Sequence, residues 1–444
     1  MTIFAQEIAG PDESIDDADL SRLIIDGVNR SDVDTSNIAV VPVDITRIQG
    51  RSGLLTRTLF NCVEYRIGHA FVALGSHEPH NTVQHETMFG KLPKHLFLDH
   101  DWRNGTVDLG EIPVSTLEQI CGAKLDQATI GNSIPIQLNG QFHQGMQSGD
   151  YSCAIIIGVV FPHEVAGFSS GNKNIFVGLG GQKFIDASHW MMADYGIERT
   201  LGRYNTPMRH LMNLAEKEYL KGMDILYALT VITPDPKGGN TVKGFFVGKG
   251  TDTLREAAKL SGELNVHKLD EPVQNAVVYL DPKEYKSFWL GNKAVYRLRM
   301  AIADGGTLYV VAPGIASFAD NPKLNADRDR LIESVGYRGT SYVRSQLLAL
   351  PELRQNTSVA AHLIHASSEG RFNIAYLTDP SLMPGDKVER AGFKWGGDCT
   401  PLLQQFNYEK APQGYQNIPG FGQAYYVPNP ALTLLSTKAR FKGR

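Results

Sequence analysis

One stretch stands out from the alternation of polar and apolar positions. Ala154 to Phe161 is an unbroken apolar run, stopped by Pro162-His163. Such a run is the mark of a strand covered on both faces, as in a parallel sheet. Shorter runs predict further strands at Asn37–Val43, Ala70–Leu74, Ile134–Leu138 and Leu226–Thr233, with Thr241–Val247 as a hairpin partner across the loop Pro234–Gly239. Helical spacing predicts helices over Ile15–Val28, 51–67, Thr82–Phe89 (Thr82 as cap), Pro207–Leu220 and Asp252–Leu260. Residues 1–15 read as irregular, and 105–123 mix both signals. Beyond a polar stretch at 261–272 the alternation resumes. Strands are predicted at Val277–Leu280 and Thr307–Ala312, helices at Lys283–Leu298, Arg328–Val335 and Tyr342–Leu350, and apolar runs lie at Val359–His365 and Phe372–Leu377. The tail from Pro412 reads as extended. Alternating strands and helices in both halves predict an α/β protein of two domains, 1–265 and 266–444.

Composition narrows the function classes. The chain has 444 residues, is 42% hydrophobic and 20% charged, and carries a net charge of −4. That suits substantial cores and argues against general nucleic-acid binding, which needs a basic face. No stretch is long enough to span a membrane, and the first residues lack the pattern of a signal peptide, so a cytoplasmic protein is expected. Four scattered cysteines, Cys62, Cys121, Cys153 and Cys399, read as free thiols.

The candidate chemistry follows the strands. Val41 leads to Asp44 and Arg47, Val72 to His77, and Ile155 to His163 and Lys173. Ligands in open α/β sheets sit off the carboxyl ends of the strands, so three parallel neighbours would bring all these residues to one edge. Histidines near their ordinary pKa of about 6.5 can exchange protons at neutral pH. The loop Gly167-Phe168-Ser169-Ser170-Gly171 offers backbone N–H groups to an anion, and Lys173 adds a cation or a nucleophilic amine. The loop is not a Walker A motif, which makes ATPase activity a poor reading. His80, His85, His95 and His100 read as ordinary loop histidines, although His77, His80 and His85 would also permit a zinc site.

Taken together, Asp44-x-Thr46-Arg47, Gly75-Ser76-His77, Pro162-His163-x-x-Ala166-Gly167-Phe168-Ser169-x-Gly171-x-Lys173 and His189 resemble the nickel-pincer lactate racemases in order and spacing. The resemblance covers most of 35–195 and weakens beyond. It implies two α/β domains with the active site in the cleft between them. It also implies a nickel pincer nucleotide (a pyridinium bis-thiocarboxylic mononucleotide) joined covalently to Lys173. His189 would then be the protein's nickel ligand, and His77 and His163 the acid/base pair. Ser169, Ser170 and Gly171 would lie near the cofactor phosphate, Asp44 would orient cofactor or site groups, and Arg47 would bind the substrate. The implied activity is racemisation or 2-epimerisation of a 2-hydroxy acid, either lactate-like or a longer aldonate, by reversible hydride transfer. Cofactor-synthesis enzymes would be its partners in the cell.

The sequence departs from the family at three places. Asn172 stands where the family has an arginine, Ile48 replaces a proline, and Leu290 replaces an amide between Trp289 and Lys293. Trp289, Lys293 and Trp395 would be the substrate contacts of the second domain under this reading. Two other classes stay open at this stage: a non-catalytic anion- or nucleotide-binding protein of the same fold, and a zinc-dependent hydrolase.

Overall fold

Cys153–Val160, the run that dominates the sequence, forms a strand in which all eight residues are buried. The computed structural model describes residues 2–235, 239–323 and 325–442, so Pro236, Lys237 and Gly238 of the predicted loop lie outside it. The chain divides into two compact units, 1–191 with 200–265, and 192–199 with 266–444.

The first unit contains β1 (Ile3–Ile8), β2 (Ile38–Val41), β3 (Ile67–Phe71), β4 (Phe97–Leu98), β5 (Thr106–Pro113), β6 (Ser133–Asn139), β7 (Cys153–Val160), β8 (Pro162–His163), β9 (Gly167–Phe168), β10 (Ile225–Pro234) and β11 (Asn240–Lys249). Seven of them form a sheet in the order β1-β11-β10-β7-β2-β3-β4. β10, β7, β2, β3 and β4 run parallel, and β11 and β1 are antiparallel additions at one edge. Apolar runs predict the parallel centre because such strands are covered on both faces. β1 overturns the irregular reading of the N-terminus. Its six residues, Ile-Phe-Ala-Gln-Glu-Ile, have only Ala5 fully buried, so little apolar pattern betrays them, and pairing with β11 makes the strand.

Helices cover the sheet where their apolar stripes dictate. Asp17–Arg30 begins at Asp16, whose side chain accepts from Asp19 N, and turns Leu20, Leu23, Ile24 and Val28 inward. The helix predicted over 51–67 stops at Asn61, where Cys62 becomes extended. Thr82 is not a cap: Asn81 is, in a capping box with Gln84.

The second unit has its own sheet, built from β12 (Val266–Leu269), β13 (Val273–Tyr279), β14 (Ile302–Ala312), β15 (Asn373–Thr378), β16 (Lys394–Asp398), β17 (Gly414–Ile418), β18 (Gly422–Val427) and β19 (Leu434–Thr437). Six strands lie in the order β16-β15-β14-β13-β18-β17, all parallel except β17, while β12 pairs with β19. The extended tail is therefore paired strand. The helix predicted over Lys283–Leu298 is two short ones, Phe288–Gly291 capped by Ser287 and Lys293–Leu298, joined at the buried Asn292. Tyr376 donates to Asn292 Oδ1 at 2.8 Å and ties the break to the sheet. Both units are α/β. The four cysteines form no disulfide among the described residues, and Cys153 and Cys399 are fully buried. Among the described residues no helix is long and apolar enough to cross a membrane.

Candidate functional site

β3, β2 and β7 are parallel neighbours, with Val41 beside Ile156 and a bridge joining Val43 to Ala73. Their carboxyl ends lead directly into Asp44, His77 and His163. The convergence expected from sequence is a consequence of this strand order.

Asp44 is the hub. It is 1% exposed, and both carboxylate oxygens are engaged. His77 Nδ1 lies 2.5 Å from Oδ2, while Oδ1 accepts from Arg47 Nη1 at 2.9 Å and Thr46 Oγ1 at 2.7 Å. Burial pushes the carboxyl up, but the charges of His77 and Arg47, with the hydrogen bonds of His77 and Thr46, outweigh it and hold it well below the usual range. An anion so fixed keeps Nδ1–H on His77 and leaves Nε2 able to accept a proton, the arrangement of a His–Asp catalytic pair.

His80 corrects its reading as an ordinary loop residue. It is buried, and its Nε2 accepts from Ile45 N at 2.9 Å, anchoring the turn that carries Asp44 and Arg47. Burial lowers its pKa, so the neutral acceptor form prevails. His85 is also buried and meets Leu92 O at 3.1 Å, with Phe89 packed against both His80 and His85. With His77 on Asp44, the three imidazoles serve three different partners rather than one metal ion.

His163 closes β8, which pairs with β9 across a tight turn. It is buried, and its Nδ1 accepts from Val165 N at 3.1 Å and Ala166 N at 3.3 Å. The loop beyond differs from expectation in one respect. The hydroxyls of Ser169 and Ser170 both donate to Val159 O, at 2.6 and 2.8 Å, so they pin the loop to β7 and are not offered to a ligand. Ser170 and Gly171 take positive φ, +66° and +65°. The main-chain N–H groups of Ser170, Gly171 and Asn172 meet no protein acceptor among the described residues. Consecutive N–H groups in a left-handed turn form an anion-binding concavity. The backbone, not the serine side chains, is the anion-binding part.

Lys173 follows at once. Burial foremost, then the positive charge of Arg47 and that of Arg209, against the opposing Glu164 and Asp44, brings its amine down to about 7. A lysine so tuned is substantially unprotonated at neutral pH and nucleophilic. Behind it lies a network that sequence reasoning missed. The buried Arg209 donates to Asn172 Oδ1 at 2.6 Å and Phe168 O at 2.9 Å. Asn172 donates to Asn213 at 2.8 Å and Glu216 at 2.9 Å, and Tyr227 donates to Glu216 at 2.8 Å. The only signal for it in sequence was the asparagine at 172.

His189 lies on the helix Gln182–Tyr195, its Nδ1 3.4 Å from Ser188 Oγ. The start of that helix is held by Trp102 O, which accepts from Gln182 N, and by Gln137 Oε1, which accepts from Lys183 N. His100, expected to be an ordinary loop histidine, does lie between elements but is buried and donates to Gly180 O at 2.9 Å. The remaining three expected residues belong to the second unit. Trp289 is sandwiched between the His362 ring, 3.9 Å away, and the Arg328 guanidinium at 4.6 Å. Lys293 Nζ lies 5.7 Å over the Tyr285 ring. Trp395 stands on the edge strand β16, 38% exposed, against Gly385.

Residues 135–200, which carry His163, Lys173 and His189, match the family model of the lactate racemase N-terminal domain. No curated protein sequence matches the chain. Eight chains among solved structures do. A protein from Thermotoga maritima, known from its crystal structure, has a TM-score of 0.74 at 23% identity, over 95% of this chain and 100% of that one. The lactate racemase apoprotein from Thermoanaerobacterium thermosaccharolyticum has a TM-score of 0.62 at 16% identity, over 96% of this chain and 90% of that one. Both are likenesses of fold.

Proposed function

We propose that the chain, whose residues 135–200 match the family model of the lactate racemase N-terminal domain, is an isomerase, a racemase or 2-epimerase of 2-hydroxy carboxylic acids, dependent on a nickel pincer nucleotide. The observation that carries the reading is the Asp44–His77 pair in electrostatic reach of Lys173, an amine with no hydrogen-bond partner among the described residues.

The residues fit the group. A phosphate would rest on the unpaired N–H groups of Ser170, Gly171 and Asn172, and Lys173 offers an amine ready for a covalent link. His189 would supply the protein's ligand to nickel. Among the described residues no cluster of three or more His, Cys, Asp or Glu converges on a metal position, so the other donors would belong to the cofactor. When bound, that group supplies a reversible acceptor for the hydride on C2 of the substrate.

The chain's own residues do the rest. Arg47 would bind the substrate carboxylate, its guanidinium already steadied by Asp44 and Thr46. His77 would take the hydroxyl proton at Nε2, with Asp44 stabilising the imidazolium. A protein that only binds anions needs no such pair. The substrate would be a short aliphatic acid such as lactate or a longer sugar acid such as an aldonate, and the cytoplasm the compartment.

Mass spectrometry tests the proposal. Co-expressed with cofactor-synthesis enzymes, the protein should gain the cofactor mass on Lys173, and Lys173→Ala should gain none. A panel of chiral 2-hydroxy acids then identifies the substrate. An unmodified protein that inverts no 2-hydroxy acid would overturn the reading.

A further inference from the structure

We infer that Arg209 is the positioning residue of the anion loop: it clamps Phe168 and Asn172, the two ends of that loop, and supplies a buried positive charge whose missing counter-ion is the anion the loop receives. The inference rests on the proposed reading of this loop as the cradle of the cofactor phosphate.

The clamp is read from hydrogen bonds. Arg209 stands on the helix Pro207–Tyr219 and is 1% exposed. Its Nη2 donates to Phe168 O at 2.9 Å and its Nη1 to Asn172 Oδ1 at 2.6 Å. Between those two points lie Ser170 and Gly171, the positions of positive φ. A guanidinium can only donate, so the oxygen of the Asn172 amide must face Arg209. The amide nitrogen is thereby turned to Asn213 Oδ1 at 2.8 Å and Glu216 Oε2 at 2.9 Å, and Tyr227 holds the other oxygen of Glu216 at 2.8 Å. Asn172 is fixed at both ends of its side chain. Its own carbonyl accepts from Ile175 N at 3.1 Å and Phe176 N at 2.9 Å. The residue that ends the row of N–H groups therefore also begins the turn that carries Lys173.

The charge needs a separate explanation. Two acceptor oxygens could be bridged by a neutral amide, which also has two N–H donors. Arg209 makes no ion pair among the described residues, and its Nε has no hydrogen-bond partner. Glu216 acts on it only across the Asn172 amide. Burial lowers the guanidinium to about 10, against the opposing effects of Tyr204, Tyr227 and Glu216, so it remains charged at neutral pH. A buried cation without a direct counter-charge destabilises a fold. An anion on the neighbouring N–H groups would supply that counter-charge, and the clamp would hold those groups in place for it.

Inorganic phosphate and the cofactor-free protein test this. Phosphate should raise the urea midpoint of the wild type above that in chloride at equal ionic strength, because a ligand of the native state stabilises it. Arg209→Gln keeps two donors and removes the charge, and it should lose most of that rise. Half-maximal acylation of Lys173 should also move to higher pH in this variant. One of the two positive charges acting on that amine, Arg47 being the other, is gone, while Glu164 and Asp44 remain. A second variant separates clamp from charge. Asn172→Asp combined with Glu216→Gln re-forms the hydrogen bonds but gives the guanidinium a direct carboxylate partner. It should keep the wild-type midpoint in chloride and gain little from phosphate. A wild type indifferent to phosphate, or a rise undiminished in both variants, overturns the inference. Cofactor mass gained equally by wild type and Arg209→Gln on co-expression with cofactor-synthesis enzymes overturns it too and leaves the cofactor reading intact. The expected phosphate responses in a protein that gains no cofactor mass would overturn the cofactor reading alone.

Discussion

Asp44 and Lys173 are the two residues whose ionisation the fold alters most usefully. Asp44→Asn preserves shape but removes the anion that orients His77. If the proposed function holds, turnover should fall by about 10²–10⁴-fold with a smaller change in KM, measurable by steady-state kinetics. Lys173 gives a prediction independent of activity. Its amine is lowered to about 7, so lysine-selective acylation followed by peptide mass spectrometry should show half-maximal labelling of Lys173 near that pH. The linkage has a definite sign. Between about 7 and the ordinary lysine value near 10.4 the unfolded chain binds one proton more than the native one, so this group makes stability rise with pH across that window. Below it the penalty for the charged amine is fully present. Lys173→Met should therefore be most stabilising, relative to wild type, near pH 6 and least near pH 10, as read by urea denaturation.

At the scale of elements, the site is aimed by close packing of backbone. Gly53, in the helix Ser52–Asn61, lies so near Met88 that an added Cβ would stand 1.9 Å from its carbonyl oxygen. Gly53→Ala should separate the helices on either side of the Asp44 turn and cost about 1–3 kcal/mol, seen as a lowered urea midpoint. This level also explains what sequence could reveal. The β7 run was legible because eight consecutive apolar residues have no amphipathic alternative, and it pointed to a parallel sheet, whereas the order of the strands is seen only in the structure. β1 was not legible, since its strand exists only through its partner. The site divides in the same way. Asp44, His77, His163 and Lys173 follow strand ends at short range. Arg209 reaches Asn172 across 37 positions, and nothing local announces that. The inward turn of the Ser169 and Ser170 hydroxyls was equally hidden, because a serine in a glycine loop reads the same whichever way its hydroxyl points.

At the scale of the whole molecule, the chain contributes residues 192–199 to the second unit before returning to the first. Within that unit Glu198 lies 3.4 Å from the buried Arg299, which also donates to His365 O at 2.9 Å. Glu198→Gln would take from a buried guanidinium the stronger of the two carboxylates that act on it, Glu369 being the other, at a cost of about 3 kcal/mol. Thermal unfolding followed by tryptophan fluorescence should show a lower midpoint, and an unchanged midpoint would mean the pair contributes nothing. A fragment beginning at 266 would lack the same carboxylate, so a cut placed by sequence composition alone would weaken the part it was meant to isolate.

The first residues have a role of another kind. β1 lies along β11, and Lys249 N donates to Thr2 O at 2.7 Å, so the hydrogen-bonding row of a long, largely buried strand is covered by six residues of its own chain. Stripped of them, β11 would present open N–H and C=O groups beside Phe245 and Phe246, the template on which strands of separate molecules pair and aggregate. The N-terminal strand thus acts as a guard on solubility, and any fusion or truncation there bears on whether the protein can be kept in solution at all.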